Sequence, residues 1–190
     1  VPDQRAGADW NFQTPRMVPG TMTPSLVQMP DAVKRELYEY PARISSVAEA
    51  CATCKENPCA ALACGIPGSK YRGGAHGCMT GTEETTGDGL DSHHMPARSK
   101  SPLHPAVGPA IQMDPADHAQ TASFRGKVNG PSYAPQRALL AQGKTYAAFV
   151  LDAADARRIA MASGDPTKYD GAIAQATAYA TCLKKNGIIQ

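Results

Sequence analysis

Helical periodicity occupies both ends of this chain, and an irregular glycine-rich stretch lies between them. Behind Asp31, a residue suited to cap, Val33, Leu37 and Tyr40 recur at i, i+4 and i+7 and predict a helix that Pro41 breaks. A second helix is expected over residues 44–55. A short one should follow Asn57-Pro58, where Asn caps and Pro takes the first helical position. The last third predicts three helices, over 132–142, 145–163 and 167–186. Each ends at a glycine suited to the position just past a helix, namely Gly143, Gly164 and Gly187. Lys184 and Lys185 sit favourably in the final turn of the last helix.

The centre reads differently. Residues 65–109 hold nine of the seventeen glycines and little amphipathic signal, as expected of loop with short strands. Ala110-Ile111-Gln112-Met113 is a plausible strand. Asp114-Pro115-Ala116-Asp117-His118 reads as a helix start, with a cap, Pro at the first position and an acid three residues after the cap. That places His118 in a first helical turn. Residues 1–30 carry five of the sixteen prolines and no sustained period, and read as an extended arm or linker. No internal repeat is present. The expected architecture is α+β, mostly helical, with one domain over 31–190 built around a small β-containing centre.

Composition narrows the possible functions. The 190 residues are 42% hydrophobic but only 6% aromatic, so the core should be rich in alanine. A net charge of +2 gives no general argument for a polyanionic partner. The longest apolar run, Tyr146 to Leu151, falls far short of the ~20 residues of a membrane helix. The polar start, Val1-Pro2-Asp3-Gln4-Arg5, is no signal peptide, and the missing Met reads as a fragment of a longer protein or a processed product. Five of the six cysteines lie between 51 and 78, with Cys182 alone near the end. Cys51, Cys54, Cys59 and Cys64 could form a structural zinc site, although their spacing matches no standard module. Disulfides or buried thiols fit equally.

The chemistry concentrates in the five histidines, two of them adjacent at His93 and His94. Neighbours on a strand point to opposite faces, so this pair suits two different tasks. One imidazole can bind a divalent cation while the other serves as a general base. His118 could supply a second ligand on the metal side. Few protein ligands would leave open positions for water and a phosphate oxygen.

Asp91-Ser92-His93-His94-Met95-Pro96, followed by Gly108-Pro109-Ala110-Ile111-Gln112-Met113 and Asp117-His118, resembles the HNH/endonuclease VII superfamily of bacterial polymorphic toxins, and within it the members named for a Ser-His-His signature. The resemblance covers about residues 70–125. It implies a ββα-metal (His-Me finger) core at about 85–125 and cleavage of nucleic acid, with DNA favoured over RNA. It also implies delivery as a secreted effector into a rival bacterium's cytoplasm, often by type VI secretion, and neutralisation by a cognate immunity protein. By position, His94 would be the base that activates water, while His93 and His118 would hold the metal. A third metal histidine is expected one turn after His118, but Ala122 stands there. Sparse coordination, completed by Asp91, water or substrate, would favour magnesium or manganese over zinc. Arg98 and Lys100 are candidate phosphate contacts. His76 could join the site, whereas His104 reads as incidental.

Several familiar sites are absent. The pair Gly73-Gly74 lacks the lysine and strand–loop–helix context of a phosphate loop. There is no Gly-x-Ser-x-Gly elbow and no His-Glu-x-x-His helix. The competing expectation is a non-enzymatic secretion-system or interaction module that uses its Cys/His cluster for structural zinc.

Overall fold

The segment Pro109–Met113 forms the central strand of a three-stranded antiparallel sheet. The structure is a computed structural model and describes residues 57–190. The arm at 1–30, the helices expected over 31–40 and 44–55, and Cys51 and Cys54 lie outside the described residues. The strands are β1 (Gly73–Ala75), β2 (Asp91–His94) and β3 (Pro109–Met113), in the order β1-β3-β2. All five residues of β3 are buried, as expected where both faces of a central strand are covered. Pro109 takes the first position, where a missing N–H costs the ladder least. Register places Ile111 between Gly73 and His93, and Ala110 between Gly74 and His94.

Among the described residues there are six α-helices: α1 (Ala60–Ala63), α2 (His76–Gly81), α3 (Pro115–His118), α4 (Ala134–Ala141), α5 (Thr145–Ala162) and α6 (Asp170–Lys185). Two 3₁₀ turns, Arg125–Asn129 and Pro131–Tyr133, lead into α4. Helix α6 packs on β1 and β3 through Ala172, Ala176 and Ala180, with Ile173, Tyr179 and Leu183 also buried in the core. These small side chains let helix and sheet approach closely. A Cβ at Gly73 would overlap the Ala172 carbonyl of α6, and one at Gly74 the Ala63 carbonyl of α1. Close packing, rather than phosphate, accounts for that glycine pair.

Local signals placed most elements well. The side chain of Asn57 accepts a hydrogen bond from Cys59 N–H at 2.8 Å, opening the turn of α1. Helices α4, α5 and α6 are followed by Gly143, Gly164 and Gly187, all in the left-handed region. Three starts differ from expectation, the helix expected from 132 beginning at Ala134 behind the 3₁₀ turn Pro131–Tyr133. The helix expected from 167 begins at Asp170, because the Asp165 carboxylate takes the Thr167 N–H and hydroxyl and holds a turn there. Asp114 does not cap α3 with its side chain; its carboxylate accepts from Tyr71 OH at 3.1 Å and pairs with Lys168 at 2.6 Å.

Of the alternatives open for the cysteines, the described ones take the disulfide. Cys59 is bonded to Cys182, and Cys64 to Cys78, so neither Cys59 nor Cys64 offers a thiolate. The reason is tertiary. Helix α6 returns the distant Cys182 to the start of α1, and α2 brings Cys78 to its end. Among the described residues no cysteine is free, and no helix is long and apolar enough to cross a membrane.

Candidate active site

Strand β2 carries Asp91, Ser92, His93 and His94, and its alternation sorts them into two groups. On one side His118 Nδ1 lies 2.8 Å from Asp91 Oδ2, and the His93 and His118 rings are 5.3 Å apart between centroids. On the other, His76 Nδ1 lies 2.7 Å from Ser92 Oγ, and the His76 and His94 rings are also 5.3 Å apart. Because β2 is an edge strand, a single cleft of about 720 Å³ takes in both groups. Opposite faces, different partners and a shared opening are what a division of labour requires.

His93 is 2% exposed, and its Nε2 is the sole buried side-chain nitrogen or oxygen without a hydrogen-bond partner among the described residues. Burial, followed by the neighbouring His118 and His94, pushes its pKa down to about 3, so the ring is neutral. An orphaned, neutral imidazole nitrogen is costly unless something binds it. His118 is prepared in a complementary way. Asp91 holds its Nδ1 and leaves Nε2 for a ligand, the carboxylate–histidine arrangement that fixes tautomer and orientation in metal sites. Asp91 supports His118 through Oδ2. Among the described residues no three His, Cys, Asp or Glu side chains form a ready-made metal set. The donors that fit a cation are the two imidazoles of His93 and His118.

His118 owes its place to α3, which is a single turn anchored from below. Lys168 bridges Asp114 at 2.6 Å and Asp117 at 2.7 Å, and Tyr169 OH donates to Asp117 at 2.7 Å. The helix then ends. Ala122, where a further histidine would be expected, packs with Ala97, Val128 and Tyr133, and its N–H donates to Asp155.

His94 is 6% exposed and lies between two carbonyls, with Nδ1 2.7 Å from Pro96 O and Nε2 3.0 Å from Pro105 O. A neutral imidazole has one proton, which the shorter contact assigns to Nδ1. Nε2 then keeps its lone pair, and once protonated it would donate to Pro105 O. Burial lowers the pKa of His94, while both carbonyls oppose that shift by favouring the charged ring. A Cβ at Gly108 would overlap this imidazole, so the backbone is bare there to admit the ring. His76 is also held neutral, with its pKa pushed down to about 4 by burial, His94 and Arg98.

Of the basic residues proposed from sequence, Arg98 lines the cleft and Lys100 does not. His104 is a turn residue whose Nδ1 accepts from Ala106 N–H. The cleft also includes Ser123, Phe124 and Arg125, which the sequence reading passed over. Their signal was an aromatic set among basic residues, Phe124-Arg125-Gly126-Lys127, just after the histidine segment. Compared with known proteins, this chain matches no family model, no curated protein and no solved structure.

Proposed function

We propose that this domain is a metal-dependent endonuclease with a ββα-metal core formed by β2, β3 and α3, acting as an antibacterial effector. The observation that carries the reading is the orphaned His93 Nε2 beside His118, whose other nitrogen is held by Asp91. In this reading His93 and His118 hold a divalent cation. That cation, when bound, supplies a Lewis acid for a phosphate oxygen. With Asp91 engaged, the donor pair is all imidazole, which brings zinc level with magnesium and manganese as a candidate.

The chain's own residues divide the remaining work. His94 is the base of this reading: Nδ1–H donates to Pro96 O, and Nε2, whose lone pair faces Pro105 O, would take the proton of a water that displaces that carbonyl. The Pro96 carbonyl, already in place for the charged ring, lowers the cost of that transfer. Arg98 contributes a guanidinium to a phosphate oxygen. DNA is the favoured substrate. The two disulfides suit a protein that passes through an oxidising compartment, which agrees with export. The secretion apparatus and an immunity protein remain inferences from the family resemblance.

Plasmid nicking tests the proposal. The wild type should nick DNA with added magnesium, manganese or zinc and stop when chelator is added. His94→Ala should lose about 10²- to 10⁴-fold in rate while still binding metal by calorimetry. His93→Ala and His118→Ala should lose metal binding itself, and Asp91→Ala should weaken it about 10- to 100-fold. Folded protein that leaves DNA and RNA intact with each metal would sink the reading and leave the non-enzymatic alternative.

A further inference from the structure

Arg125 is the one non-glycine residue among the described residues with a positive φ, at 50°. Left-handed backbone is disfavoured for side chains with a Cβ, and Gly126, which could adopt it freely, stands next in the chain. Such a conformation persists where something gains from the side chain it displays. Arg125 is exposed, forms no ion pair among the described residues, and lies over the Phe124 ring at 5.0 Å. Phe124 in turn meets the His118 ring at 5.1 Å in a T-shaped contact. Both residues line the cleft that holds the histidines.

We infer that Phe124 and Arg125 form a stacking subsite for an unpaired nucleobase beside the scissile phosphate, which makes single-stranded DNA the preferred substrate. This rests on the nuclease reading of the same cleft. A guanidinium stacks through its face and donates hydrogen bonds from its edge, so Arg125 can carry a base and still reach the adjoining phosphate. The phenyl ring beneath extends the platform and, through His118, sets it next to the proposed metal pair. Stacking needs an exposed π-face, which duplex DNA keeps inside its base pairs. Sequence-tolerant recognition of single strands combines these two elements, an aromatic platform and a cation on the backbone.

The test is direct binding in chelator, where cleavage is off, using a single-stranded DNA octamer carrying 2-aminopurine and the same octamer in a duplex. The wild type should quench the single strand and bind it at least tenfold tighter than the duplex. Phe124→Leu should weaken single-strand binding on the order of tenfold and abolish the quench. Arg125→Gly should weaken it similarly and flatten the salt dependence by about one unit of slope. Its Tm should equal or exceed that of the wild type, because glycine relieves the backbone. Binding by both variants equal to wild type, or a wild type that prefers the duplex, would overturn the subsite. A wild type that nicks DNA while both variants bind normally would leave the nuclease reading standing and remove only this inference.

Discussion

Replacing Asp152 by Asn should reshape the pH dependence of stability. Asp152 lies on α5 at 1% exposure and accepts from Tyr133 OH at 2.8 Å and Gln136 Nε2 at 3.0 Å, with no cation among those partners. Burial raises its pKa to about 7, against the opposing effect of both hydrogen bonds. A carboxyl raised in the folded state contributes stability that is fully present below its unfolded pKa, near 4. That contribution is lost as pH rises through about 7. Across that window the slope is about −1.4 kcal/mol per pH unit, and the cumulative loss is on the order of 4 kcal/mol. His93 works in the opposite sense. Lowered to about 3 in the folded state, its contribution is complete above its unfolded pKa of about 6.5 and fades as pH falls toward 3. Between about pH 4 and 6.5 the Asp152 slope is opposed by that of His93 and by that of His76, which burial lowers to about 4, so the carboxyl's loss is masked in the wild type's own curve. Asp152→Asn removes the carboxyl term alone. Urea denaturation with intact disulfides, at steps from pH 4.5 to 8, should show the variant gaining on the wild type as pH rises. Parallel curves would refute the argument, because they would mean that Asp152 binds no extra proton in the folded state.

Other consequences are more local. Reduction of the disulfides should lower Tm markedly. In the chain-entropy account, the Cys59–Cys182 link, spanning 123 residues, is worth about 4–5 kcal/mol, and Cys64–Cys78, spanning 14, about 3. A Cys182→Ser variant as stable as the wild type would contradict the first value. Gly108→Ala should cost about 1–3 kcal/mol by overpacking against the His94 ring, and should reduce nicking beyond what the remaining folded fraction explains. Tyr179→Phe removes a hydroxyl that donates to Val107 O and accepts from Asn57, so denaturation should show a loss of about 1–3 kcal/mol. It should also loosen the 104–108 turn whose Pro105 carbonyl faces His94, visible as faster amide exchange there.

What local chemistry decides was legible along the chain. The strand expected over 110–113 formed, beginning one residue earlier at Pro109, three helices stop at glycines, and the adjacent histidines fell on opposite faces because a strand alternates. These features depend on residues a few positions apart, where backbone preference and side-chain alternation act directly. Pro115 and Asp117 marked a helix start correctly, yet nothing local showed that α3 would last one turn.

Only the tertiary structure settled the rest, since it depends on which distant segments meet. The pairing of Cys59 with Cys182 required α6 to return beside α1, and the cysteine spacing near 51–64 carried no trace of it. That Asp91 would meet His118 depended on where α3 set the imidazole. Phe124 and Arg125 became part of the cleft because the chain turns back after α3, and Lys100 fell outside it two residues beyond Arg98. By itself, then, the sequence determined that the histidines could do chemistry and that His93 and His94 would lie on opposite faces of β2. Packing determined which of them share an opening, because the energy of an orphaned nitrogen or a buried carboxyl depends on neighbours that sequence distance does not reveal.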